Sequence, residues 1–369
     1  VLEANAMSSA IGNIIRTTVF GESHGPAIGA VMDAPPAGYK ISYGELAVQM
    51  KRRAPGTDPT ATARREADEP EILSGIMDGT TTGAPLALII RNADHRSNNY
   101  DGIKAHPRPS HADYAASVRY KGFNDIRGGG NFSGRLTAPL TAAGSIARQI
   151  LSAHGISVGG HVSFIGSTAD VPFDPTEVSS LLLDRLNREY FSVISDTAKA
   201  DMEKEIADAK AAGDSIGGEI EIAVTGLAAG IGSPTARGVE NMISAALFAV
   251  PAIKGIEFGT GFSFSSMKGS EANDCMYYAD DGSVRCYTNN CGGITGGITN
   301  GMPLIIRAAV KPTPSISMPQ RTVDLENRQN DTFTIVGRHD PCIVPRALPA
   351  AEAAVCLALI DLLAEVHAL

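Results

Sequence analysis

The sequence predicts a mixed α and β fold built as one large domain. Three observations carry this expectation. Stretches of two-residue alternation and stretches of helical periodicity follow one another along the whole chain. Hydrophobic residues make up 43% of the 369, enough for a large buried core. No linker-like run and no true internal repeat interrupts the pattern, although the length alone permits more than one domain.

The elements follow in order. "IIRTTVF" (14–20) alternates enough to be a strand, and "AIGAVMD" (27–33) follows as a second strand. Ser42 and Glu45 have capping-box spacing for a helix over 45–53. "TAPLTAAGSIARQILSAHG" (137–155) reads as a helix of small residues ended by Gly155. "GISVGGHVSFIG" (155–166) is strand-like, and Asp196 is placed to cap a polar helix over 197–213. A half-buried strand is expected over 217–227, a helix over 238–250, and strands over 255–264 and 301–312. An apolar helix over 348–366 closes the chain. Residues 1–9, "VLEANAMSS", lack the charged start and apolar stretch of a signal peptide. They read as a tag remnant, which leaves 10–369 as the domain.

The net charge of −9 argues against a nucleic-acid partner. It does not exclude small anions, which answer to local clusters. No apolar run of about 18 residues is evident, so no membrane span is expected. Five cysteines, with no C-x-x-C pair, suggest reduced thiols in a cytoplasmic protein and no metal site.

Residues 21–25, "GESHG", spell the G-x-S-x-G pattern of a serine nucleophile. That motif requires a helix directly after the serine. Here Pro26 and a strand-like run follow, so Ser23 reads as a supporting group in a loop that presents His24. A hydrolase using Ser23, and a binding protein without catalysis, are the competing readings.

A basic constellation comes next. "KRR" (51–53) closes the first helix, where positive charge is favourable. Arg64 and Arg65 follow shortly. "HPRPSHADYAASVRYKGFNDIRGGGNFSGR" (106–135) gathers His106, Arg108, His111, Arg119, Arg127 and Arg135 around a triple glycine. Arginine forks suit a ligand rich in carboxylate and phosphate. The glycine clusters at 128–130, 159–160, 217–218 and 291–301 permit close backbone approach. His95 lies in a polar loop, His106 and His339 read as local hydrogen-bonding residues, and His154 and His161 read as structural.

"FGESHG", "RRAPGT", "ILSGIMDGTTTGAPLALIIRNADHRSNNYDGIKAHPRPSHADY", "RGGGNFSGR", "NNCGGITGGITNGMPL", "KPTPSIS" and "GRHDPCIVPRALPAAEA" together resemble the chorismate synthase family, over about residues 12–360. The resemblance implies an α+β fold, a single-domain β-α-β sandwich, assembled as a homotetramer. It implies a lyase that converts 5-enolpyruvylshikimate 3-phosphate to chorismate by anti-1,4 elimination of phosphate and a ring hydrogen. This is the last common step of aromatic biosynthesis. The family requires reduced FMN, with NADPH only as an indirect source of reductant. The compact length resembles the members that depend on an external flavin reductase.

Residue by residue, the resemblance assigns His24 to protonate the departing phosphate. It assigns His111 to a place near the flavin and Asp340 to help relay the ring proton. Arg53, Arg108, Ser133 and Arg135 are implied as substrate-binding. Asn131, Phe132, Ser133, Pro251, Ala252, Gly296, the segment Lys311, Pro312, Thr313, Pro314 and Ser315, and Arg338 are implied as flavin contacts. The chain departs from the family pattern at three places. Many members have Arg-Ser-Ser-Ala-Arg where this chain has 131–135, Asn-Ala at 251–252, and an arginine where Pro59 stands.

Overall fold

The computed structural model describes residues 9–54, 68–92, 101–335 and 340–369. Two five-stranded antiparallel sheets enclose a layer of helices. The first sheet runs in the order Ala10–Ile11, Thr17–Gly21, Ala27–Met32, Leu86–Arg91, Glu71–Ser74. Its inner face is set by alternation: Ile28, Ala30 and Met32 are buried and stand in register with Ile90, Leu88 and Leu86. The second sheet runs Ile253–Phe258, Leu304–Val310, Gly218–Thr225, Ser157–Ile165, Thr168–Ala169. Ile220 and Ile222 pair there with Ala308 and Ile306 to form its inner face. Its outer face buries Ala223 and Ile305 under Phe173, Leu183 and Leu186.

Helices Thr137–Ala153 and Val344–Glu365 fill the space between the sheets. The first packs on the strands of sheet one, the second on those of sheet two. This is the β-α-β sandwich expected. The two helices touch closely because Gly144 carries no side chain: a Cβ there would stand 2.3 Å from that of Ala353.

Val344–Glu365 is apolar on every side but for a few charged residues, as suits a helix buried all round. By length and composition it could cross a membrane, which corrects the expectation that no such run exists. Its apolar window is 94% buried within the protein, where it serves as the core helix. It begins at Val344 rather than 348, with Pro345 in the first turn, where no intrahelical partner is needed for the missing N–H.

Two acids on this helix were not foreseen. Glu352 is wholly buried between Arg52, which meets it with two N–H groups at 2.6 and 3.1 Å, and Arg148 at 2.7 Å. Burial opposes its charge, but the two guanidiniums outweigh this and hold its carboxyl below the ordinary value. Asp361 accepts the backbone N–H groups of Asn13, Ile14 and Ile15, tying the start of the first sheet to the core helix.

Local signals fared unevenly. Ser42 caps helix Tyr43–Arg53 by accepting from the Glu45 N–H. The reciprocal half of the box is replaced, because the Ser42 N–H donates to Gln149. Helix Asp196–Ala211 is capped by Ser195, not by Asp196. The strand expected over 255–264 ends at Phe258 and gives way to a 3-10 turn over Gly261–Ser266. The tag expected over 1–9 lies outside the described residues except for Ser9, whose carbonyl accepts the Val19 N–H. All five cysteines are free thiols.

Candidate active site

The "GESHG" segment joins strand Thr17–Gly21 to strand Ala27–Met32. No helix follows Ser23, so the local structure a nucleophile elbow demands is absent there. The segment is instead bound to the triple glycine, with the Ser23 N–H donating to the Gly130 carbonyl at 3.2 Å.

Gly128 and Gly129 have φ of +59 and +86. These values favour glycine, and the space does too. A Cβ on Gly128 would stand 2.3 Å from Cε1 of His24, and one on Gly129 would stand 3.1 Å from Cε1 of His111. The bare loop therefore seats one histidine on each of two successive residues. They come from segments 87 positions apart in the sequence.

His111 is oriented from behind. Its Nδ1 lies 2.6 Å from Oδ1 of Asp113, which fixes that nitrogen as the donor and turns Nε2 towards Gly129. Asp113 also receives Arg108 through Nε at 2.7 Å and Nη2 at 2.8 Å. Burial opposes the charge on Asp113, but hydrogen bonds from Arg108 and His111 hold its carboxyl well below the ordinary range. Beside His24, Arg127 holds the Asp125 carboxyl low through its own hydrogen bonds.

The segment 311–315 closes on this group. Lys311 donates to the Ser110 carbonyl at 2.6 Å, and Arg108 reaches Ser315 Oγ at 3.4 Å. The Lys311 N–H donates to the Ala252 carbonyl, which brings 251–252 alongside. Between them, Pro312 packs on Gly217, the Thr313 carbonyl accepts Ser215, and the Pro314 carbonyl accepts Gln320.

The second half of the site is built on arginine. Arg53, at the end of its helix, donates through Nε to Thr137 Oγ1 at 3.0 Å and through Nη2 to the Gly134 carbonyl at 3.1 Å. Arg135 donates through Nε to Asn92 Oδ1 at 3.1 Å. Both arginines bind the carboxylate of Asp68. Ser133 caps the short turn that presents Arg135, accepting its N–H. Asp340 pairs with Arg346 at 2.6 Å, and Arg346 donates to the Arg53 carbonyl at 3.1 Å.

Asn92 joins the two halves. While its Oδ1 accepts Arg135, its Nδ2 donates to the carbonyls of Gly25, at 2.8 Å, and Glu22, at 3.3 Å. Sequence reasoning missed Asn92, Asp68 and Asp113, because no local pattern distinguishes a bridging amide or carboxylate from a surface one.

Beside the "GESHG" loop lies a cleft of about 440 Å³, lined in part by Glu22, Gly25, Tyr120, Phe123, Asn131 and Phe132. Phe123 is 90% exposed and Phe132 is edge-on to Tyr120. Gly296 stands in the turn between Ile294–Thr295 and Ile298–Thr299, whose next residue packs on Ser233 and Gly238. The described contacts do not join it to the rest. Arg338, His339, Pro59, Arg64, Arg65 and His95 lie outside the described residues.

The "KRR" cluster is divided by the fold. Lys51 is exposed, Arg52 is buried against Glu352, and only Arg53 meets the site. Of the glycine pairs, 159–160 and 217–218 serve packing: a Cβ at Gly160 would stand 2.6 Å from the Glu221 carbonyl and 2.9 Å from Leu348. Among the described residues, His106, Asp324 and Asp331 lie close enough to share a cation. His106 already bonds Asp331 at 3.0 Å, and Asp324 accepts N–H groups of Glu326 and Asn327.

The family model described as chorismate synthase matches residues 15–364. The chorismate synthase of Methanocella arvoryzae is 44% identical over 351 residues, covering 95% of this chain and 92% of the relative. That of Thermococcus kodakarensis is 44% identical over 350 residues, covering 95% and 96%. A crystal structure of chorismate synthase superposes with a TM-score of 0.75 at 27% identity, covering 96% of this chain and 93% of that one.

Proposed function

The chain belongs to the chorismate synthase family, a family of lyases of aromatic biosynthesis, and on that premise we propose that its two-histidine site eliminates phosphate from 5-enolpyruvylshikimate 3-phosphate. The observation that carries this reading is the seating of His24 and His111 on Gly128 and Gly129. A phosphate leaves more readily when protonated, and a histidine titrates in the range where it can give that proton. His24 takes this part. Arg53, Arg108 and Arg135 bind the substrate's anionic groups, with Ser133 beside them. Asp340, held by Arg346, receives the ring proton.

The residues present fit reduced FMN. The cleft beside the two loops has exposed aromatic faces for a flat ring system, and the Gly-rich backbone lets a ligand approach. Asn131, Phe132, Ser133, Pro251, Ala252 and 311–315 would hold it, with Arg338 and Gly296 completing the set by family resemblance. When bound, reduced FMN lends electron density to the breaking C–O bond. His111, held through Nδ1 by Asp113, would present Nε2 to the cofactor.

Residues 10–369 are proposed to act as one domain in a cytoplasmic homotetramer, with an external reductase supplying electrons that come from NADPH. The test is anaerobic incubation with dithionite-reduced FMN and the shikimate-derived substrate. Phosphate release and chorismate absorbance are expected together. His24→Ala and His111→Ala should each lower the rate by about 10²–10⁴-fold, while Ser23→Ala keeps appreciable activity. Absence of both products overturns the reading, and total loss in Ser23→Ala revives the hydrolase.

A further inference from the structure

We infer that Asp68 is an internal counterion, occupying in the unliganded chain the anion subsite formed by Arg53 and Arg135. The inference rests on the reading of these two arginines as anion-binding. Asp68 bridges them, with Oδ2 on Nη1 of Arg53 and Oδ1 on Nη1 of Arg135. This is the arrangement an incoming phosphate or carboxylate would adopt, one oxygen to each guanidinium.

All three side chains are shut away from water. Asp68 is 0% exposed, Arg53 3% and Arg135 7%. Two guanidiniums buried side by side repel each other, and a carboxylate between them offsets that cost. The supporting bonds leave the arginines aimed at one point whether or not Asp68 stays. Arg53 is steadied by Thr137 and the Gly134 carbonyl, and Arg135 by Asn92. Asp68 itself adopts a left-handed φ of +48. Asp tolerates that region better than most residues, yet it remains less favoured than extended backbone. The carboxylate is thus brought to the arginines at some conformational cost, a contact that another anion can replace.

The consequence is a competition. An external oxyanion must displace Asp68, so its apparent affinity is lowered by the counterion already present. Removing the Asp68 charge should destabilise the empty protein and tighten its hold on an external anion.

The probe is inorganic phosphate, read by thermal melting at constant ionic strength, with chloride as the reference salt. Wild-type protein is expected to gain stability with phosphate. Asp68→Asn should melt lower in chloride, and its half-saturating phosphate concentration should fall about tenfold. Asp68→Glu, which keeps the charge, should respond as wild type does. An Asp68→Asn variant that folds only when phosphate is supplied also supports the inference. An unchanged half-saturation point, or a variant that folds in neither salt, overturns it. Wild-type protein indifferent to phosphate would instead sink the assignment of Arg53 and Arg135 as anion-binding.

Discussion

At the residue scale, the site depends on what two glycines lack. Gly128 and Gly129 have positive φ and leave room for an imidazole each, so the loop works only without side chains. Gly128→Ala would thrust a methyl group into His24. A displacement of about 1 Å at a reacting group costs on the order of 10²-fold in rate. The expected outcome is that loss in chorismate formation, together with a lower melting temperature from the strained backbone. Gly269→Ala, whose Cβ meets no atom within 4 Å, should be silent in both. Equal activity of the two variants would remove His24 from its proposed role. The triple glycine and His111 were legible in the sequence as a dense polar cluster, and His24 as the residue presented by the "GESHG" loop. Their partners were not. Asp113 orients His111, and Asn92 bridges Arg135 to the "GESHG" loop. Each is a common polar residue whose meaning comes from distant contacts.

At the element scale, helices Thr137–Ala153 and Val344–Glu365 set the distance between the sheets. Gly144 fixes their approach by meeting Ala353. Gly144→Val should overpack this contact and destabilise the fold by about 1–3 kcal/mol, measured by denaturant unfolding. A neutral result would mean that the layer can spread without cost. The same layer shows why element reading from sequence was partial. Ala27–Met32 was legible as the partner that follows the alternating run at 14–20. Strand Leu86–Arg91 was missed: "LALIIR" is nearly continuous in apolar residues, so two-residue alternation does not reveal it. The helix start at Val344 was missed because two prolines obscure it, although Pro345 stands where no N–H is required. At Ser195–Asp196 both side chains can cap a helix, and backbone geometry chose the serine.

At the scale of the whole molecule, two buried clusters outside the site pair acids with bases. One is Glu352 between Arg52 and Arg148. The other is His161, wholly buried on the second sheet between Asp170 at 2.8 Å and Glu221 at 2.9 Å. Burial opposes the charge on His161, but its hydrogen bonds to both carboxylates raise its pKa above the ordinary 6.5. A group raised in this way stabilises the fold fully below pH 6.5 and loses that contribution as pH rises through the folded value. For Asp170, burial is outweighed by hydrogen bonds from His161 and three backbone N–H groups, and its pKa is lowered. Its contribution is present above 3.8 and fades as pH falls through the lowered value. Wild-type melting temperature should therefore decline as pH rises beyond 6.5, and His161→Gln should melt lower with that decline flattened. Parallel profiles for the two proteins would show that His161 is not charged in the fold. The sequence by itself determined the family, the mixed α and β class with its longest helices, and the loop chemistry, because these are written in contiguous motifs and local periodicity. Tertiary structure decided which arginine of "KRR" serves the site and which serves the core. It also decided which glycines cradle histidines and which merely let backbones pass, and where buried carboxylates find their cations. Those choices depend on neighbours supplied by folding, with Arg52 and Glu352 standing 300 positions apart.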